Sequence, residues 1–523
     1  MFLGLDSSTQ SLSALVIDPA TGSVVHESSI NFGADLPAYQ SPSGFIPGGA
    51  DGEVHANPLM WIEAIDLLFS RVAENFDLSQ VSALAASGQQ HGSVYFDHTL
   101  VQRLTSLDPA KSLKEQLAPA LTRATAPIWM DTATGPECAE IAAAVGGNDE
   151  VCQLSGSIAI ERFTGPQIRR FFKQDPEAYE NTSTIHLVSS LIGSIMAGKS
   201  IDIDHGDGAG MNLLNLHTLS WDPDLLEATA PNLRNKLPCS SPSASIAGPI
   251  SSYFVAKYGF SSHCQVALST GDNPSSLVGM GAAEPGTFVI SLGTSDTFFA
   301  AMSHAVTDPQ GFGHVFGNPA GGFMSLICFR NGSLSREALR DELGLSWDDF
   351  DAAGLAKTPA GNEGRIMLPF YGPEITPRRD FTAPVRNFPA DAPAEVQIRA
   401  LLEGQFLNMR LHSAWLGEQP TLIRLTGGAS QNNGIAQLIA DIFQAPVERF
   451  AVANGAALGA ALRAAHACGQ NLATLGTQFC QPDANSRISP DASTKDIYAQ
   501  SLATYRELLL GMTGATSSSC TQP

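Results

Sequence analysis

The sequence predicts an α/β protein of two lobes, and three observations support this prediction. The chain has 523 residues, which is too long for a single hydrophobic core. Two similar strand–turn–strand segments, each with a hydroxyl-rich turn, open the two halves of the chain. Elsewhere, short apolar strands alternate with helical patterns, for example at residues 81–87, 266–269 and 422–426, as is typical of α/β folds.

The two strand–turn–strand segments indicate a duplicated architecture. The first has strands at residues 2–5 and 11–17 around the turn 6–10, and a third strand is expected at 23–28. The second has strands at residues 287–292 and 298–302 around the turn 293–297, so that Ser8 aligns with Ser295. We place the boundary in the small-residue stretch 279–286. The expected units are an N-terminal lobe at 1–280, a C-terminal lobe at 281–510 and a disordered tail at 511–523.

Composition and charge exclude several classes of protein. The formal net charge is −22, which argues against nucleic acid or an anionic membrane surface as a partner. The sequence has neither an apolar run of membrane-spanning length nor a basic N-terminal region of a signal peptide. The eight cysteines are scattered and form no zinc pattern, so free thiols and a cytoplasmic location are expected.

Residues 193–200 match the phosphate-binding pattern G-x-x-x-x-G-K-S, but their context is wrong. That motif needs a strand before the first glycine and a helix starting at the lysine. Here apolar residues from Leu187 to Met196 recur at helical spacing, which places Gly193 inside a helix. Gly198 then suits the position after the helix end, with Lys199 beside the negative end of the helix.

The hydroxyl-rich turns could instead hold phosphates from two sides. Backbone and hydroxyl donors around a triphosphate, a metal ion near a carboxylate and a base are the requirements of phosphoryl transfer. The first requirement is met by the candidate phosphate residues Ser8, Thr9, Gly293, Thr294 and Ser295. Asp6 could hold Mg²⁺, which keeps much of its hydration, although a turn aspartate often bonds only its own backbone.

A base and a set of polar groups follow other strands. In Ser269–Pro274, Pro274 suits the first helical position and Asn273 the cap, leaving the Asp272 carboxylate free. The alternative is that Asp272 caps the helix itself. His91 and Arg162 could bind hydroxyls, or they could be a loop histidine and a surface ion-pair partner. One cation, Arg162, beside the anionic Asp272 favours a neutral polyol over an acidic ligand.

A flat nucleotide base could approach the glycine turn after residues 422–426, since backbone without side chains permits close contact. Gly427, Gly428 and Ala429 form this turn, Asn432 supplies an amide, and a helix is expected at 435–443. The small-residue helix starting at 454 could pack underneath the turn or against a sheet. Trp347 follows a capping-box pattern with Ser346 and Asp349 and could begin a helix or contact the base.

Taken together, these segments make the whole chain resemble the FGGY family of carbohydrate kinases. The resemblance is carried by residues 5–10, 87–93, 129–131, 161–165, 271–274, 291–297 and 427–430. It implies two ribonuclease-H-like (actin-like ATPase) lobes with the active site in the cleft between them, and ATP and Mg²⁺ bound there. Departures are Thr132-Ala133-Thr134 after the Trp-x-Asp motif, where many relatives carry arginine, and Gly-Gly-Ala in place of Gly-Gly-Gly.

The resemblance also implies roles for individual residues. Asp272 would be the base and, with Asp6, the metal ligand; His91, Arg162, Asp272 and Asn273 would contact the sugar; and Gly428, Ala429, Asn432 and Trp347 would contact the nucleotide. The implied partners are a small-molecule sugar and ATP, and a homodimer is left open. Alternatives are a family member acting on ribulose or glycerol, and an actin-like or chaperone-like ATPase that phosphorylates no sugar.

Overall fold

The computed structural model describes residues 1–450 and 454–514. Its two main sheets share one plan, which confirms the duplication predicted from the two hairpins. In each, an antiparallel hairpin comes first in the chain, and a later strand pairs in parallel with the first strand of that hairpin.

The first sheet has seven strands. Its members are Phe2–Ser7, Ser11–Asp18, Ser23–Asn31, Ala83–Gly88, Ile246–Pro249, Gln265–Ala267 and Thr270–Gly271. Strand Phe2–Ser7 pairs parallel with Ala83–Gly88, which in turn pairs parallel with both Gln265–Ala267 and Thr270–Gly271. The carboxyl ends of these strands therefore meet at one edge, where ligands of α/β folds bind.

The second sheet has six strands. In spatial order they are His314–Gly317, Phe323–Phe329, Asp296–Met302, Thr287–Leu292, Leu422–Thr426 and Val447–Arg449. The last two are parallel to Thr287–Leu292, and each of the first three is antiparallel to the strand that follows it in this order. The glycine turn 427–432 thus follows a parallel strand, in the same relation that residues 89–91 have to Ala83–Gly88.

Helices cover both sheets and fill the connections. In the first half they are Phe32–Asp35, Pro58–Ala73, Leu100–Thr105, Leu113–Leu117, Gly135–Val145, Asn148–Ser155, Thr164–Gln174, Pro176–Asn181, Val188–Ala197, His205–Ala209, Pro223–Thr229, Ser252–Tyr258 and Asp272–Gly279. In the second half they are Ser333–Leu343, Trp347–Gly354, Ala394–Ser413, Asn433–Phe443, Gly455–Ala467, Leu472–Phe479 and Lys495–Gly514. Two-stranded sheets pair His55–Ala56 with Ala126–Pro127, Ser93–Phe96 with Thr184–Leu187, Ile203–Asp204 with Ser240–Ser241, Leu214–Asn215 with Ser220–Trp221, and Met367–Leu368 with Val385–Arg386.

The small-residue helix Gly455–Ala467 packs against the first sheet and against the helix Asp272–Gly279, rather than beneath the glycine turn. The packing is so close that a Cβ on Gly4 would overlap the backbone of Ala457, and one on Gly459 would overlap the backbone of Ser275. Only glycine permits this approach, which accounts for the small residues of the helix.

The P-loop-like segment is a helix end, as predicted. The helix Val188–Ala197 contains Gly193, and Gly198 follows it in the left-handed region at φ 64°. Lys199 is exposed, and a Cβ on Gly248 would lie 3.3 Å from its Nζ. A phosphate-binding lysine at the start of a helix is therefore excluded.

Two other predictions are wrong in part. Asn273 is not the cap, because the helix begins at Asp272 and Gly271 is its N-cap residue. The expected tail does not begin at Gly511, since the last helix continues to Gly514; residues 515–523 lie outside the described residues. Within the described ranges, no helix is long and apolar enough to cross a membrane, and the seven cysteines described are free thiols.

Candidate active site

The first sheet brings the predicted acidic residues together. Strand pairing places Asp6 and Thr270 on either side of Ser87, and Asp272 follows Thr270 by two residues. Both carboxylates line a cavity of about 360 Å³. The lining consists of Asp6, Ser8, Ser11, Ser13, Asp272, Asn273, Ser276, Asn454, Gly455 and Ala456.

The electrostatics of this cavity favour a cation or a proton. Burial raises the pKa of Asp6 to about 6. Burial, together with the nearby charge of Asp6, raises the pKa of Asp272 to about 7. Asp6 Oδ1 is buried and has no hydrogen-bond partner among the described residues. Two adjacent carboxylates with raised pKa values are suited to taking up a proton or to sharing a divalent ion.

Asp272 neither caps its helix nor is neutralised by a basic side chain. Its Oδ1 accepts hydrogen bonds from the backbone N–H of Asn273 at 2.9 Å and from Asn273 Nδ2 at 3.1 Å. Asn273 Nδ2 also donates to Gln90 Oε1 at 2.8 Å. These contacts fix Asp272 and Asn273 relative to the turn that contains His91, and they give Gln90 a positioning role.

His91 is a neutral, rigidly held group. Its backbone has φ 72°, and its ring stacks on Phe163 at 4.2 Å between centroids. Burial, and then the charge of Arg162, lowers its pKa to about 3. Nδ1 lies 2.7 Å from the carbonyl oxygen of Gly210, to which it must donate. Nε2 is then the unprotonated nitrogen and can accept a hydrogen bond from a ligand hydroxyl.

Within the described residues, Arg162 forms no ion pair with Asp272. Its Nη2 is 3.1 Å from Nε2 of His314, a residue of the second sheet that the sequence patterns did not single out. The guanidinium and His91 nevertheless belong to one cluster, since the charge of Arg162 acts on the pKa of His91. Arg162 is thus close to His91, while the bond from Asn273 to Gln90 connects Asp272 and Asn273 to the same turn.

A second cavity, of about 390 Å³, contains four of the predicted nucleotide residues. The lining is Ser333, Arg336, Trp347, Phe350, Asp351, Gly428, Ala429, Gln431, Asn432 and Ile435. Trp347 begins its helix after the N-cap Ser346, and the guanidinium carbon of Arg340 lies 4.5 Å from the centre of its ring. The side-chain oxygen of Asn432 caps the helix Asn433–Phe443, so it is not available as a free acceptor.

Of the predicted phosphate residues in the two hydroxyl-rich turns, some line a cavity and others do not. Ser8 lines the acidic cavity, but Thr9 Oγ1 accepts a hydrogen bond from Trp129 Nε1 at 2.8 Å. In the second turn, the carbonyl oxygen of Gly293 accepts from the backbone N–H of Ser333 at 3.0 Å. Thr294 and Ser295 lie between the paired strands, outside the linings of both cavities.

Gly427 and Arg336 shape the second cavity in different ways. Gly427 has φ 90°, and a Cβ there would overlap the backbone of Leu292, so glycine is required at this turn. Arg336, which the sequence patterns did not indicate, forms a buried ion pair with Asp296 at 3.1 Å. It therefore supports the second turn from the cavity wall.

Among the described residues, no group of three or more His, Cys, Asp or Glu side chains could enclose a metal ion. Any metal at this edge would be held by the carboxylates of Asp6 and Asp272, with the rest of its coordination from water or a ligand. Mg²⁺ commonly has this arrangement in nucleotide sites.

Comparison with known proteins connects both halves to one family. The family model for the N-terminal domain of the FGGY family of carbohydrate kinases matches residues 1–279, and that for the C-terminal domain matches residues 288–468. Xylulose kinase of Rattus norvegicus is 42% identical over 520 residues, covering 97% of this chain and 96% of that protein. Xylulose kinase 2 of Arabidopsis thaliana is 41% identical over 490 residues, covering 89% and 87% respectively.

Solved structures confirm the predicted fold class of two actin-like lobes. The xylulose kinase structure from Rhodospirillum rubrum matches with a TM-score of 0.82 and 18% identity, covering 98% of this chain and 99% of that one. The ligand-bound xylulose kinase structure from Lactobacillus acidophilus matches with a TM-score of 0.80 and 20% identity, covering 99% and 98%.

Proposed function

This chain belongs to the FGGY family of carbohydrate kinases, and we propose that it phosphorylates D-xylulose on O5 with ATP, yielding D-xylulose 5-phosphate. The observation that carries this proposal is the identity of 42% with a xylulose kinase over nearly the whole of both chains. It is supported by the bond from Asn273 to Gln90, the neighbour of His91, and by the charge of Arg162 acting on His91, which connect the four residues proposed to contact the sugar.

In this proposal Asp272 is the general base. Its raised pKa, about 7, suits a group that must take a proton near neutral pH. The bonds from Asn273 to Oδ1 hold the carboxylate in place. Oδ2 is the oxygen that would accept the proton of the sugar O5 hydroxyl as O5 attacks the γ-phosphorus; the bond from that phosphorus to the bridging oxygen breaks, and ADP leaves.

The unpartnered Oδ1 of Asp6 and the adjacent Asp272 fit Mg²⁺ as ligands. When bound, this ion would neutralise charge on the phosphates. The nucleotide base would occupy the cavity beside Trp347, Gly428 and Ala429. The phosphates would extend past Gly293 toward Ser8, with Thr9, Thr294 and Ser295 at the two turns that flank this path.

Neutral sugars suit the groups at the proposed sugar site. His91 is uncharged and Asn273 is an amide, and both can bond neutral hydroxyls. Arg162 has a second cation nearby, because the charge of Arg378 acts on its pKa. The carboxylates of Asp6 and Asp272 offset these two charges, so an acidic sugar would find no surplus of positive charge. A site that pairs each hydroxyl penalises an epimer by leaving polar groups unmatched, at roughly 1–3 kcal/mol per group.

The test is kcat/KM for D-xylulose, D-ribulose, L-xylulose, L-ribulose and glycerol at one ATP concentration, with ADP release as the readout. D-xylulose should exceed every competitor. A competitor that equals it would refute the assignment and leave only the kinase activity. ADP release at the same rate without any sugar would instead identify an ATPase.

The cellular location is part of the same proposal. The described cysteines are all free thiols, which suits a reducing compartment. We therefore assign this protein to the cytoplasm, to be checked by fractionation of the source cells.

A further inference from the structure

Arg162, a proposed sugar contact in the N-terminal half, has its hydrogen-bond partner in the C-terminal half. Its Nη2 lies 3.1 Å from Nε2 of His314, which is 152 residues away in sequence. His314 is the first residue of the edge strand His314–Gly317 of the second sheet. The second sheet therefore contributes a side chain to the surroundings of the sugar site.

Backbone contacts fix this edge strand against the N-terminal half. The backbone N–H of Val315 donates to the carbonyl oxygen of Gly156 at 2.9 Å. Gly156 has φ 87°, and a Cβ there would lie 2.5 Å from the carbonyl oxygen of Val315. A Cβ on Gly317 would lie 2.7 Å from the backbone of His205. Because these contacts are made by backbone atoms, they leave the position of His314 little freedom.

The hydrogen bonds of His314 determine its tautomer. A guanidinium can only donate, so Nε2 of His314 must accept from Arg162. Nδ1 then carries the proton and donates to Ser157 Oγ at 3.1 Å. Burial, and then the charge of Arg162, holds the pKa of His314 well below its usual range. The imidazole is thus neutral and is oriented as an acceptor.

The same residues connect to His91 through aromatic packing. The ring of Phe163 stacks on His91 at 4.2 Å and packs against His314 at 5.4 Å between centroids. Phe316 lies at 6.4 Å from Phe163 and 6.0 Å from His314. The two proposed sugar contacts, His91 and Arg162, are therefore supported by one cluster that spans both halves.

We propose that His314 is a positioning residue for sugar binding: it fixes the guanidinium of Arg162, so that the nucleotide-binding half completes the sugar site. This inference rests on the proposed function, which makes Arg162 a sugar contact. A neutral acceptor is suited to the task, because it occupies one N–H of Arg162 and leaves the positive charge and the remaining donors for the substrate. A carboxylate would neutralise that charge and could engage two donors.

Two substitutions at the same position separate hydrogen bonding from packing. His314→Phe keeps an aromatic ring beside Phe163 and Phe316 but removes the acceptor, whereas His314→Gln keeps an acceptor at similar reach. Loss of a hydrogen bond to a charged group should raise the KM for D-xylulose roughly tenfold or more in His314→Phe. The KM for ATP should change less than about twofold, and His314→Gln should recover most of the loss. Equal sugar KM values for the two variants would overturn the proposal.

A double-mutant cycle with Arg162→Ala tests the mechanism directly. If His314 acts through Arg162, His314→Phe should not raise the sugar KM further when Arg162 is absent. Fully additive effects would refute the proposal. If His314→Phe does not fold, Ser157→Ala replaces it in the cycle, because that substitution removes the partner of Nδ1 of His314. Non-additive effects with Arg162→Ala would again support the proposal, and additive effects would refute it. Wild-type protein that phosphorylates no sugar would refute the proposed function, whereas active wild type with an additive cycle would refute only this inference.

Discussion

Replacement of Asp272 by asparagine should abolish catalysis and at the same time stabilise the ligand-free protein. The amide keeps the shape of the side chain, and its oxygen can still accept both hydrogen bonds from Asn273. It cannot take the proton of the attacking hydroxyl, so kcat should fall by roughly 100-fold or more. The KM for ATP should stay close to the wild-type value.

The gain in stability follows from the raised pKa of Asp272. Burial and the charge of Asp6 raise this pKa from 3.8 to about 7, so the charged form favours the unfolded chain. Below the pKa of Asp272 in the unfolded chain, the carboxyl is protonated in both states and costs no stability. Stability is lost as the pH rises from that value through the raised pKa of the folded protein. A change of this size corresponds to at most about 4 kcal/mol. Because the cavity is open to water, we expect about 1–2 kcal/mol.

The assay is thermal unfolding of wild type and Asp272→Asn near pH 8 and near pH 5, without nucleotide or divalent ions. The gain in Tm should be about 1–2 °C near pH 8 and should shrink strongly near pH 5, where the carboxyl of the folded wild type is protonated. Asp66→Asn is the matched control: Asp66 Oδ1 accepts from Tyr253, Lys257 and Tyr258, so its replacement should lower Tm. A gain for Asp272→Asn that is independent of pH would refute the electrostatic reasoning, and near-normal kcat would remove Asp272 from the role of base.

Three further substitutions test other parts of the structure. Lys199→Ala should leave kcat and the KM for ATP nearly unchanged, because Lys199 is an exposed residue after a helix end; collapse of activity in a folded variant would show a phosphate-binding role. Trp347→Ala should raise the KM for ATP severalfold without changing the KM for sugar, as initial rates at varied substrate would show. The reason is that Trp347 lines the second cavity and not the acidic one. Gly459→Ala should lower the free energy of unfolding by about 3 kcal/mol in denaturant, because its Cβ would overlap the backbone of Ser275. The control is Gly476→Ala, which lies in a helix with open space around it and should be neutral or stabilising.

Local patterns were sufficient to predict the two hairpins, the helix end at Gly198 and the position of the glycine turn. Each depends on residues close in sequence, where strand periodicity, turn residues and helix caps act. The start of the helix that contains Asp272 was predicted two residues too late, because Gly271 rather than Asn273 has the extended cap conformation. Proline at the start of a helix favours a cap just before it, but here the strand Thr270–Gly271 leads into the helix directly.

Long-range partners could not be predicted in this way. Nothing beside His314 in the sequence indicates Arg162, because their contact depends on how the edge strand docks on Gly156. Arg336 lies in an ordinary helical pattern, and only the fold places it against Asp296. Arg162 and Asp272 were predicted to share one pocket because of their residue types. In the structure, the guanidinium of Arg162 bonds His314 of the second sheet.

The helix Gly455–Ala467 shows why the two halves of the sequence are not two independent structural units. Arg463, in Gly455–Ala467, is buried in the N-terminal lobe, where Nη2 donates to the carbonyl oxygen of Leu268 at 2.6 Å and Nη1 to that of Ala86 at 3.4 Å. Those carbonyls lie just before the turns that carry His91 and Asp272. A segment far beyond residue 280 thus supports the strands that lead to Asp272 and to the turn with His91. Because His314 also comes from beyond residue 280, a division there would separate the proposed sugar site from two of the residues that support it.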